Sequence, residues 1–268
     1  MSQAYRTFFG FSREPFSSEL KVEEVLKTEA VLAVADRVDY AIRLGAIALI
    51  TGEVGSGKST ALRFALSRLH PSEYRLLWIT AGGGSILELY RQITWELEVE
   101  TTSTRAASTR IIRKSLLDMV LGKKQKVVLI IDEASLLRLE VFAELHTLTQ
   151  FDGDSKPLLP LLLAGQNNLL DKLYWRTSLP LSSRVVARSH LEGVDRQGME
   201  NYLNHHLRLA GLNLSVFSDQ AITAIHQGSG GLFRKANHLA RGSLIAAAAE
   251  KCQQVSAEHV RLASTELI

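Results

Sequence analysis

Apolar and polar positions follow two regimes along this chain of 268 residues. Up to Gly193, short apolar runs without alternation recur between longer stretches of helical spacing. The runs at 46–51, 74–80, 127–131, 159–164 and 185–191 read as strands buried on both faces. The stretches at 58–69, 86–97, 105–121 and 136–150 carry apolar residues at helical intervals. Strands of this kind separated by helices predict a parallel sheet with crossover connections. After Gly193 the strand signal stops, and helices are predicted at 199–209, 218–227, 232–251 and 257–264. Ser218 with Asp219 caps one of them, and Ser256 precedes the last, with His259 three residues on. The predicted fold class is α/β: a parallel five-stranded sheet flanked by helices over 46–193. An N-terminal arm and first helix over 1–45 precede it, and a small all-helical domain over 194–268 follows.

Composition narrows the class. Apolar residues make up 46% and charged residues 22%, which excludes a disordered, collagen-like or coiled-coil chain. The single cysteine, Cys252, excludes a disulfide framework and a cysteine zinc cluster, and reads as a small apolar residue. No apolar run approaches the roughly 18 residues of a membrane span. Residues 1–10 lack the apolar stretch of a signal peptide. A soluble cytoplasmic protein of one to two domains is expected. Net charge is +3, unevenly distributed. Between 101 and 126 lie Arg105, Arg110, Arg113, Lys114, Lys123, Lys124 and Lys126 against the single acid Asp118, a local +6 on a remainder of −3. Such a patch suits either a solvated helix face or a nucleic-acid footprint.

The strongest motif runs Gly52, Glu53, Val54, Gly55, Ser56, Gly57, Lys58, Ser59, with Thr60 following. It fits G-x-x-x-x-G-K-[ST], the Walker A P-loop, and lies between a predicted strand and a predicted helix. Glycines let backbone N–H groups approach phosphate oxygens, and the helix start adds its positive end. Lys58 would reach the β- and γ-phosphates of ATP, and Ser59 would ligate Mg²⁺. The apolar run ending in Asp132–Glu133 is the matching Walker B strand: Asp132 for Mg²⁺, Glu133 to activate the attacking water. The same pair also suits a plain helix cap. Gln166 or Asn167, after the run ending at Gly165, would position that water. Arg234 and Lys235 stand at a predicted helix start, where positive charge opposes the helix dipole, which favours a phosphate-facing role for Arg234.

Together these residues resemble an AAA+ ATPase over nearly the whole chain. More narrowly, Phe8-Phe9-Gly10-Phe11, Pro15-Phe16, Gly165-Gln166 and Gly230-Gly231-Leu232-Phe233-Arg234 resemble the blocks of ExeA-like ATPases. The resemblance implies a helical lid, a sensor-1 role for Gln166 and a sensor-2 role for Arg234. It also implies that the segment 181–185 supplies an arginine finger to a neighbouring copy. Arg184 is the residue chosen, with Arg176 and Arg188 as competitors. Phe233 stands where the family commonly has a proline.

The chain's length matches the short, free-standing members similar to transposition helper ATPases. That implies a homo-oligomer, ring or helical filament, that binds duplex DNA without sequence preference and recruits or activates a transposase. Lys172, Arg176, Arg184 and Arg188 join the basic segment as candidate phosphate contacts. The alternatives are a cytoplasmic ATPase of a type II secretion or pilus system, and a nucleotide-gated protein-binding switch with little hydrolysis. Phe8, Phe9, Phe11 and Phe16 are expected to pack on the sheet domain near the adenine pocket. His205 and His206 are expected on the lid surface.

Overall fold

The computed structural model describes residues 2–265, so the last predicted lid residues, 266–268, lie outside the described residues. In chain order the elements are α1 (Ser2–Phe9), α2 (Glu29–Leu44), β1 (Ile47–Gly52), α3 (Lys58–Leu66), β2 (Tyr74–Thr80), α4 (Ile86–Glu96) and α5 (Arg105–Leu117). There follow β3 (Lys126–Asp132), α6 (Leu139–Thr149), β4 (Leu161–Gly165), α7 (Asn168–Tyr174), α8 (Leu179–Ser182) and β5 (Val185–Leu191). The chain ends with α9 (Arg196–Leu209), α10 (Asp219–Ser229), α11 (Phe233–Ala249) and α12 (Ala257–Thr265).

Two compact units result, one of residues 28–52 and 58–191, the other of 1–27, 53–57 and 192–268. In the first, all five strands are parallel in the order β2-β3-β4-β1-β5. Every residue of β1 and β4 is buried, as strands covered on both faces require. Their side chains share a core with α4, α5 and α6. The predicted helix over 136–150 begins only at Leu139, because a 3-10 turn at Ala134–Leu136 comes first. The one predicted over 105–121 ends in a π-turn at Asp118–Gly122. α2 is capped by Thr28, whose hydroxyl accepts the Val31 N–H, and closes on Gly45 in the left-handed region. A Cβ on Gly45 would stand 2.0 Å from the Pro157 carbonyl oxygen, so only glycine fits.

The second unit is helical and has its own core. Here the expectation for the N-terminal aromatics is corrected. Tyr5, Phe9, Phe11 and Phe16 are buried with Met199, Leu203 and Leu207 of α9 and with Phe217, not on the sheet. The physical reason is the C-terminal end of α9, whose last carbonyls need donors. The Ser12 N–H and hydroxyl both donate to Ala210 O, and Arg13 Nε donates to Leu209 O at 2.8 Å. Arg13 also pairs with Glu24 at 2.8 Å, and His205 Nε2 meets Glu24 O at 2.6 Å.

His206 is likewise corrected: it is buried, stacked on Phe16 with ring centroids 5.3 Å apart, and burial pushes its pKa down to about 3. Phe16→Ala is expected to lower stability by about 3–5 kcal/mol, the usual cost of truncating a fully buried aromatic. Calorimetric melting checks this, and an unchanged melting temperature would remove the arm from the core.

Candidate functional site

Three strands of the sheet unit end together. β1 runs into Gly52, β3 into Asp132 and β4 into Gly165, with Thr51 aligned to Gly165 and Ile131 to Leu163. Ligands of open parallel sheets bind at this carboxyl edge. Lys58 is buried there and its Nζ donates to Gly52 O at 3.0 Å. Ser59 Oγ donates to Asp132 Oδ2 at 2.7 Å, and the Glu133 N–H donates to Asp132 Oδ1 at 2.9 Å. The Asp132 carboxylate is thus oriented from both sides while remaining only 8% exposed.

Glu133 has left-handed backbone, φ 53° and ψ 32°, which costs on the order of 1–3 kcal/mol in a non-glycine residue. Its side chain makes no capping bond to the turn that follows, so a plain helix cap does not explain it. Gln166 is half-buried directly after β4, between the ends of β1 and β3 in strand order, whereas Asn167 is exposed and immediately precedes α7.

In the helical unit, Glu53–Gly57 packs with the start of α11. Gly55 and Gly57 have φ of +84° and +95°, and a Cβ on Gly55 would stand 2.7 Å from the Arg234 Cβ. The Arg234 N–H donates to Gly55 O at 3.3 Å, leaving the guanidinium exposed with no ion pair among the described residues. Phe233, in the place of the family's proline, packs at a tilt of 38° against Tyr202 with centroids 4.4 Å apart and stands 3.3 Å from the Cβ that Gly57 lacks. Ser56 Oγ is buried and has no hydrogen-bond partner among the described residues. A glycine cradle with an orphaned buried hydroxyl and an ammonium fits a phosphate chain. The oxygen donors Ser59 and Asp132 fit a hard cation such as Mg²⁺.

Comparison with known proteins agrees with this geometry. Residues 42–173 match the family model described as an AAA domain. General secretion pathway protein A of Aeromonas hydrophila is 30% identical over 266 residues, covering 98% of this chain and 48% of that protein. Over residues 42–173 the chain thus carries the AAA domain. It spans about half the length of the curated relative it matches.

Members of the AAA+ family are typically ATPases. The same fold appears in Cdc6p of Pyrobaculum aerophilum, at 16% identity and TM-score 0.75, covering 94% of this chain and 70% of that one. It appears in the ORC1 protein of Aeropyrum pernix in complex with DNA, at 18% identity and TM-score 0.68, covering 92% and 67%. The RuvB Holliday junction branch migration motor of Thermotoga maritima shares it at 17% identity and TM-score 0.56, covering 97% and 73%.

The remaining candidates lie elsewhere. Arg184 stands at the amino edge of the sheet, its carbonyl accepting the Ile47 N–H at 3.1 Å. The six residues of β1 separate that edge from the P-loop, about 20 Å at roughly 3.3 Å per residue. Its guanidinium pairs with Asp154 and lies 3.4 Å from Thr149 Oγ1. Arg188 reaches the Tyr174 hydroxyl at 3.4 Å, and Arg176 is exposed.

Two of the seven basic residues between 101 and 126 have partners within the chain, on α6. Arg105 pairs with the buried Glu144 carboxylate, which also accepts the Tyr90 hydroxyl and whose pKa is raised by burial. Arg113 donates to the Thr147 and Gln150 carbonyls at the end of α6 and lies 4.7 Å over the Phe151 ring. Both residues hold α5 to α6. Arg110, Lys114, Lys123 and Lys124 remain exposed, with no ion pair among the described residues. Lys126 lies 5.3 Å over the Tyr74 ring.

Lys172, read from sequence as a candidate phosphate contact, donates to two carbonyls of the turn after Glu133. No local signal reveals this, because the acceptors lie 37 and 35 residues away. Glu250, Cys252 and His259 also converge among the described residues. His259 Nδ1 accepts the Ser256 N–H at 2.9 Å, so Nε2 carries the hydrogen and donates to Glu250 Oε2 at 3.0 Å. That tautomer leaves Nε2 no lone pair for a metal, and the ring serves the start of α12.

Proposed function

We propose that the protein binds ATP with Mg²⁺ and hydrolyses it, that copies assemble so that Arg184 of one serves the nucleotide of the next, and that the assembly acts on duplex DNA. The observation that carries hydrolysis is Glu133 at the carboxyl edge, uncommitted to a cap and beside an Asp132 already oriented by Ser59. Lys58 would neutralise the outer phosphates, while Ser59 and Asp132 would hold Mg²⁺. The cation supplies charge neutralisation on the phosphate oxygens. Glu133 would take a proton from water that Gln166 orients, and Arg234 would face the phosphates from the start of α11. The distance of Arg184 from the P-loop of its own chain supports a role in a neighbour.

For DNA, support comes from the four exposed cations Arg110, Lys114, Lys123 and Lys124 and from a fold shared with a protein in complex with DNA. Transposase recruitment rests on the sequence resemblance. The need for ATP supports a cytoplasmic setting, and no helix among the described residues is long and apolar enough to cross a membrane. A second reading, an ATPase of a secretion system, is favoured by the identity to general secretion pathway protein A.

Four phosphate contacts rather than seven predict a log–log salt slope near −4, at about −0.9 per contact. Fluorescence anisotropy with random-sequence duplex and ATP measures it. Neutralising all four residues is expected to flatten the slope toward zero. Absence of ATP-dependent binding at low salt would remove the DNA reading and leave the secretion one.

A further inference from the structure

Lys172 is the least expected residue of the sheet unit. It is half-buried on α7, the helix that begins directly after Gln166 and Asn167. Its Nζ donates to Ser135 O at 2.6 Å and to Leu137 O at 2.7 Å. Those carbonyls belong to the turn that starts at Glu133, where the Leu136 N–H donates to Glu133 O at 2.8 Å. On its other side the turn lies against β4: a Cβ on Gly165 would stand 2.9 Å from Ser135 N.

A strained residue keeps its backbone only where its surroundings over-determine it. Glu133 is such a residue, and the two carbonyls just past it have a single ammonium as their shared donor. We propose that Lys172 is a positioning residue for hydrolysis. It ties the turn carrying Glu133 to the segment carrying Gln166, so that the water-activating and water-orienting groups keep one geometry. This rests on the hydrolytic reading above. An ammonium has three hydrogens, enough to satisfy both carbonyls at once.

The test compares Lys172→Met, which keeps the stem and removes the donors, with Lys172→Arg, which restores them. Single-turnover hydrolysis, nucleotide affinity and hydrogen exchange are measured on the full chain. Lys172→Met is expected to lower turnover by about 10²-fold, the usual cost of a misplaced reacting group. Nucleotide affinity and melting temperature are expected to hold, and Lys172→Arg to recover most of the rate. Amide protection should fall together at 133–137 and 165–169 in Lys172→Met. Unchanged protection in both segments would overturn the proposal, as would a turnover loss matched by an equal loss of nucleotide affinity. If the parent chain itself turns over no ATP while the paired loss of protection is seen, the hydrolytic reading fails and the coupling stands.

Discussion

Glu133→Gln is expected to retain ATP binding and lose turnover by about 10²–10⁴-fold, the range that a positioned general base contributes. The substitution keeps the shape of the side chain and leaves untouched the backbone N–H that donates to Asp132. It removes only the ability to accept a proton. Binding depends on the P-loop, Lys58 and Ser59, which the substitution leaves in place. Nucleotide affinity and steady-state hydrolysis, measured on the same preparation with and without duplex DNA, separate the two effects. Unaltered hydrolysis would mean that Glu133 is not the water-activating residue, and the reading as a switch with little hydrolysis would take precedence.

Arg184→Ala carries the other large effect, about 10³–10⁵-fold in turnover, as for an arginine finger supplied by a neighbour. The position of Arg184 explains why the loss should depend on assembly. An arginine at the amino edge of β5 cannot reach a phosphate bound at the carboxyl edge of β1 in the same chain. Its resting pair with Asp154 keeps the guanidinium near the surface until another partner is offered. Mixing Arg184→Ala with Glu133→Gln provides the decisive measurement. Each variant alone is inactive, and the mixture regains activity where a Glu133→Gln copy lends its Arg184 to an Arg184→Ala copy. No recovery on mixing would argue against action in a neighbour. A larger loss in Arg176→Ala or Arg188→Ala would move the role to that residue.

Much of the fold was legible because its signals are local. Five runs marked the five strands, with ends displaced by at most two residues, although β5, at the sheet edge, alternates buried and exposed positions rather than being covered on both faces. The P-loop and the Asp132–Glu133 strand were legible for the same reason, since each is contiguous in sequence. Contacts that join distant segments were not. Arg105 and Arg113 look like Lys114 and Lys123 in sequence. Glu144 and the carbonyls of Thr147 and Gln150 separate them, and those partners lie more than thirty residues away. His206 reads as a surface histidine until Phe16, from the far end of the chain, is stacked on it.

The amino-acid sequence by itself determined the strand–helix alternation, the phosphate-binding loop and the carboxylate pair. Those features depend on glycine freedom, helix starts and apolar runs within a few residues of one another. Only the tertiary structure decided which charges are available to a ligand. A charge is free or committed according to whether a buried carboxylate or an unsatisfied helix-end carbonyl lies within reach, and that is a property of packing. The same reason sends the N-terminal aromatic arm to the helical unit, where the open end of α9 offered acceptors to Ser12 and Arg13.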